Sequence, residues 1–315
     1  MMYYLSEHIG RREALKRIFK AIAAVGASQF ISFEDILAAE AVPARDKPHV
    51  IWLHGSSCSG CSISFMNIEY VPVIDILTQF TRVVFHPDLS LATGEQVPAL
   101  IDELVRSKRP YLFVFEGGIP EGMPHACLMA DKPITEWVDL LASRAQACIA
   151  AGTCATMGGV PKMPGTVTGS MTLEEYLNKR NIKVDLVNLP NCPMKPEHFV
   201  YTLLHLIKTG TFPALDNDKR PLKFFAHTVH ERCIFYSSFQ EHRFAQHVGD
   251  DGCLLKLGCQ GPVTKNDCLI TGHNGNTNTC IRAGHPCIGC ASRQFPRQVM
   301  FHINREASSG GGSST

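Results

Sequence analysis

His49-Val-Ile-Trp-Leu-His-Gly-Ser-Ser-Cys-Ser-Gly-Cys61 (HVIWLHGSSCSGC) decides how this chain is read. It begins as a short apolar run, stops at glycine and serine, and continues into two cysteines at C-x-x-C spacing. A continuous apolar run of this length fits a strand buried on both faces, and such strands belong to parallel sheets covered by helices. Four later runs repeat the pattern: TRVVFHP (81–87), RPYLFVFEGG (109–118), ACIAAGTC (147–154) and KVDLVNLPNCP (183–193). Helices are expected from Ile63 to about Phe80, Glu95 to Ser107, Ile134 to Ala145, and Glu197 to Lys208, the last stopped by Gly210. The 95–107 segment is the clearest, with Val97, Leu100, Ile101 and Leu104 at i, i+3, i+4, i+7 spacing. Strands alternating with helices make this an α/β fold with a parallel sheet.

In such sheets, ligands bind beyond the carboxyl ends of the strands. Cys58 and Cys61 follow the first strand, Cys154 ends the fourth and Cys192 ends the fifth, so four thiols are expected at one sheet edge. A C-x-x-C pair alone serves a redox dithiol or half a zinc site equally well. Two more cysteines at matching strand ends narrow the choice. Gly55, Gly60, Gly152, Gly158 and Gly159 crowd these thiols. Glycine lets backbone approach closely and offers N–H groups to sulfur, which tunes an iron–sulfur cluster. Cys148, inside an apolar strand, reads as core, and Cys127 as a spare loop thiol.

After residue 210 the periodicity fades and Pro, Gly and Asn punctuate the chain. A segment without repeated helices or strands needs another source of order, and bound metal supplies one. Two constellations of four appear: His230, Cys233, Cys253 and Cys259, then Cys268, Cys280, Cys287 and Cys290. Zinc accepts either set but has no redox chemistry. Iron–sulfur clusters are held by thiolates, with histidine able to replace one. Three sites of four ligands beside an α/β half suit electron transfer.

The composition agrees. Thirteen cysteines in 315 residues are an odd number, and a chain of this size does not need disulfide staples. A formal net charge of +1 gives no basic surface for nucleic acid. The first 41 residues read as an export signal: paired Arg11 and Arg12, a moderately apolar run from Ile18 to about Phe33, then Ala38-Ala39-Glu40-Ala41. The twin-arginine route exports folded proteins, so metal can be loaded before an oxidising destination is reached. The apolar run is too short and interrupted for a membrane span, and no later segment reaches spanning length. Residues 305–315 are a flexible, linker-like tail.

SCSGCS (57–62), EGGIP (116–120), GTCATMGG (152–159), NCP (191–193), H-x-x-C at 230–233, LGCQGP (257–262) and AGHPCIGC (283–290) resemble the small subunit of nickel–iron hydrogenases, over about residues 49–300. The resemblance implies a flavodoxin-like domain over 49–215 after a 42–48 linker, then an irregular iron–sulfur domain over 216–304. It implies a proximal [4Fe–4S] cluster on Cys58, Cys61, Cys154 and Cys192, a distal one on His230, Cys233, Cys253 and Cys259, and a medial one on Cys268, Cys287 and Cys290. No catalytic residue is expected in this chain, because hydrogen is activated at a nickel–iron centre in a separate large subunit. Electrons would pass through three clusters to a periplasmic c-type cytochrome or other external carrier. Many relatives carry proline where this chain has Cys280 and hold [3Fe–4S] at the medial site. Cys280 as a fourth ligand implies a medial [4Fe–4S]; without it the site would be [3Fe–4S]. Ile63, where many relatives have glutamate, and Cys280 are both similar to the nickel–iron–selenium branch. The alternative, an iron–sulfur subunit related to respiratory complex I, explains only the α/β half.

Overall fold

β1 (His49–His54), β2 (Arg82–Phe85), β3 (Tyr111–Glu116), β4 (Ala147–Ala151) and β5 (Asp185–Leu189) lie within the five apolar runs. In the computed structural model, which describes residues 43, 46–163, 166–273 and 275–296, they form one sheet in the order β2-β1-β3-β4-β5. Every neighbouring pair is parallel. This is the flavodoxin-like order, which places a binding crevice at the β1/β3 switch point.

Successive strand residues face opposite sides. Val50, Trp52, Leu112, Val114, Ile149 and Val187 pack on one face with Phe65 of α1 (Gly60–Met66) and with Phe199, Leu203 and Leu204 of α6 (Pro196–Thr209). Ile51, Leu53, Phe113, Phe115, Cys148 and Ala150 pack on the other. There they meet α2 (Gln96–Arg106), α3 (Ile134–Ala142) and α5 (Leu173–Lys179). A further short helix, α4 (Gly152–Thr156), leaves the end of β4 directly.

Two helix expectations change. The helix expected over 63–80 is not continuous: α1 ends at Met66, and the chain turns again only at Val73–Asp75 and Ile76–Phe80. Pro72 bars a helix running through Val71 and caps the next turn, since it lacks an N–H and forces its predecessor out of helical geometry. α5 was not anticipated. It is short, and its signal is a capping box in which Thr172 and Glu175 each accept the other's backbone N–H.

Beyond Thr209 the elements are brief, including Leu222–Phe225, Tyr236–Gln240 and α7 (Cys268–Thr271). A small apolar cluster of Val229, Leu269, Ile281 and Cys287 lies within this half. Polar contacts join it to the sheet. Asn266 Nδ2 donates to Asn191 Oδ1 at 2.7 Å, and Thr153 Oγ1 donates to the Cys290 carbonyl while accepting from the Asn191 N–H at 2.9 Å. The leader over 1–41 and the tail over 305–315 lie outside the described residues. Among the described residues, no helix is long and apolar enough to cross a membrane.

Candidate metal centres

Because β1, β4 and β5 are parallel, their carboxyl ends share one sheet edge. Cys58 stands in the β1–α1 turn, Cys61 in the first turn of α1, Cys154 in α4 rather than on the strand, and Cys192 after β5. The four thiols face one another. Cys61 feels the charges of Cys154 and Cys192, Cys154 those of Cys192 and Cys58, and Cys192 that of Cys58. The backbone is pared back around them. Gly152, at φ +82°, abuts the Cys61 sulfur, so a side chain there would run into it. At Gly159, φ +52°, a Cβ would fall 2.9 Å from Cys154 Sγ, and at Gly60 3.1 Å from Cys58 Sγ. The Met194 N–H donates to Cys61 Sγ at 3.3 Å. Burial pushes the Cys61 thiol well up and, with the Cys192 charge, the Cys154 thiol to about 12. Thiols so placed release their protons readily only to a positive charge, which metal binding supplies.

Under this set lies a charge to which the sequence motifs assign no role. Glu116, 2% exposed, ends β3. Its carboxylate accepts from Ser57 Oγ at 2.8 Å, Ser62 Oγ at 2.6 Å and the N–H groups of Cys61 and Ser62 at 3.2 and 3.0 Å. His54 Nε2 stands 3.2 Å away. Burial pushes the Glu116 carboxyl up, but the hydrogen bonds from His54, Ser62 and Ser57 outweigh it and hold the group below its ordinary value. A negative charge therefore sits beneath Cys61 and Cys154 and opposes further negative charge there. The available signal was a glutamate closing an apolar strand, since buried carboxylates are rare without partners.

His230, in a single 3-10 turn, lines one cavity with Cys233, Cys253 and Cys259. Cys233 Sγ accepts the Phe235 N–H, and Cys259 Sγ the Gly261 N–H, each at 3.4 Å. Cys268 opens α7, and Cys280, Cys287 and Cys290 converge on it from the following loop. Cys280 interacts with all three: it is among the charges felt by Cys268, Cys287 and Cys290. Burial, first among several causes, pushes each of those three thiols to about 12. Cys148 is fully buried in the sheet core and Cys127 half-buried against it.

The three sets are arranged in series. Thr153, next to Cys154, donates its hydroxyl to the Cys290 carbonyl and accepts the N–H of Asn191, next to Cys192, and the Cys287 N–H donates to Cys259 Sγ at 3.4 Å. The Cys268–Cys290 set thus touches both of the others. Among the described residues, no three His, Cys, Asp or Glu side chains converge tightly enough to hold a single metal ion. In a four-iron cluster each thiolate sits on a different iron, so a set of four ligands completes one cluster.

Comparison with known proteins gives matches over both halves. The family model for the C-terminal part of NiFe/NiFeSe hydrogenase small subunits matches residues 225–303. The family model for the 20 kDa subunit of NADH ubiquinone oxidoreductase matches residues 58–206. The periplasmic [NiFeSe] hydrogenase small subunit of Desulfomicrobium baculatum is 32% identical over 306 residues, covering 91% of this chain and 96% of that protein. The periplasmic [NiFe] hydrogenase small subunit of Solidesulfovibrio fructosivorans is 32% identical over 295 residues, covering 91% and 90%. A crystal structure of the reduced, active nickel–iron–selenium hydrogenase from Desulfomicrobium baculatum superposes with a TM-score of 0.77 at 32% identity, covering 81% of this chain and 98% of that one.

Proposed function

The chain belongs to the small-subunit family of nickel–iron and nickel–iron–selenium hydrogenases, and from this we propose that it conducts electrons between a hydrogen-activating large subunit and an external carrier. Cys58, Cys61, Cys154 and Cys192 hold the proximal cluster, toward the partner's nickel–iron centre. Cys268, Cys280, Cys287 and Cys290 hold the medial one, and His230, Cys233, Cys253 and Cys259 the distal one. All three are [4Fe–4S]. When bound, such clusters take up and release single electrons. The chain's own residues fix the order of the sites, exclude water from the inner sulfurs and set the charge around them. The two domains are 49–215 and 216–304. The protein works in the periplasm after twin-arginine export and passes electrons to a c-type cytochrome or another carrier.

One observation carries this reading: the three sets run in series, through the Thr153 hydroxyl that bridges the Asn191 N–H and the Cys290 carbonyl, and through the Cys287-to-Cys259 hydrogen bond. The glycine-lined approach to Cys61 and Cys154 supports it. A protein related to complex I accounts for the match over 58–206 but not for the eight later ligands or the match over 225–303. Iron and labile-sulfide counting on the complex, with electron paramagnetic resonance of the oxidised state, tests it. Three four-iron clusters require about twelve irons in this chain. A strong three-iron signal in the intact sample would remove Cys280 from the ligand set. Zinc without labile sulfide would overturn the proposal.

A further inference from the structure

Lys195 is a charge in an unexpected place. It stands at the N-cap of α6, three residues past Cys192, and is only 1% exposed. Its Nζ lies 3.0 Å from Asp267 Oδ1 and donates to Thr271 Oγ1. Asp267 and Thr271 bracket Cys268 in sequence. Asp267, 6% exposed, also meets His198 Nε2 at 2.9 Å. His198 is wholly buried and stacks on Phe224 with ring centroids 4.1 Å apart. With Nε2–H turned to Asp267, its Nδ1 is buried without a hydrogen-bond partner, which suits a lone pair and not a second proton. The imidazole is therefore neutral, and the network holds one cation and one anion.

Burying an ammonium is costly, and well-packed apolar residues would join two segments as firmly. The ammonium is held by side chains on either side of Cys268, Asp267 just before it and Thr271 at the end of α7, so a fixed positive charge stands beside the segment that carries this sulfur. We propose that Lys195 is a fixed positive charge that raises the reduction potential of the cluster held by Cys268, offsetting the negative charge that Cys280 adds as a fourth thiolate. The proposal rests on the cluster assignment above. A reduced cluster carries one more negative charge than an oxidised one. A nearby cation in a dry site favours that state, and net charge is among the properties that set cluster potentials.

The test is a redox titration, followed by electron paramagnetic resonance, of the purified cluster-loaded complex and of Lys195→Met and Asp267→Asn. The medial signal is identified by its loss in Cys268→Ser. In Lys195→Met, the reduced-to-oxidised ratio at the wild-type medial midpoint should fall about tenfold, equivalent to 59 mV for a one-electron couple. Asp267→Asn should move the same signal the opposite way. The distal signal should stay fixed in both. If both variants keep their iron and the medial midpoint is unmoved, the proposal is overturned. If Lys195→Met loses medial iron, Asp267→Asn decides: a raised midpoint supports the proposal, and an unchanged or lowered one overturns it. Sulfide counting on the wild-type complex separates the two levels, because absent sulfide defeats the cluster assignment itself and the proposal with it.

Discussion

Gly152→Ala is the substitution whose outcome follows most directly from geometry. Gly152 opens α4 at φ +82°, and a Cβ there would occupy the space of the Cys61 sulfur. Two costs arise. An L-residue in the left-handed region costs about 1–2 kcal/mol in backbone strain. The clash then forces either the sulfur or α4, which carries Cys154, to move. Gly94 separates the two costs. It also has positive φ, +52°, but a Cβ there meets nothing within 4 Å. Gly94→Ala should lower the melting midpoint by about 2–8 °C, at about 2–4 °C per kcal/mol, and leave iron unchanged. Gly152→Ala should lose about four irons and their sulfide from the proximal site as well. The assay is iron and labile-sulfide content per complex, read with thermal melts of both variants. If Gly152→Ala keeps all its iron and melts like Gly94→Ala, then Gly152 does not serve to admit the sulfur.

Cys280→Pro leaves Cys268, Cys287 and Cys290, so the oxidised complex should gain a three-iron resonance signal and lose about one iron. The turn should persist, because it is the Cys280 carbonyl that accepts the His285 N–H at 2.9 Å. His230→Ala should spare hydrogen–deuterium exchange at the partner and slow reduction of an external acceptor by about tenfold or more. Equal loss of both activities would contradict the distal assignment. Stripping iron with a chelator should expose the later half to proteases. Cuts should fall between residues 210 and 296 while 49–209, with its own sheet core, resists.

Much of this molecule was open to reading along the chain. The strands stood out because residues buried on both faces make unbroken apolar runs, as in Tyr111–Phe115. The break at Pro72 was available but outweighed by the apolar spacing around it. α5 escaped because it is short and its capping box was the main signal. Glu116 and Lys195 escaped for a different reason. A charged residue is exposed by default, and only its partners make burial tolerable. Those partners, Ser62 and Asp267, lie 54 and 72 residues away in sequence.

The chemistry is legible before any folding is considered: thirteen cysteines, three groups of four ligands, and glycines beside the sulfurs. Ligand type and local spacing are properties of neighbouring residues, so they survive as text. The order of the sites is implied by the family resemblance and by no local spacing, and its physical basis lies in the folded chain. The last group in sequence is the middle one in space, because Cys290 comes back against Cys192 and Cys287 against Cys259. Folding likewise settles which charges lie inside, Glu116 under one set and Lys195 beside another. Such placements depend on contacts between distant segments, which packing and long-range hydrogen bonds fix and no local pattern encodes.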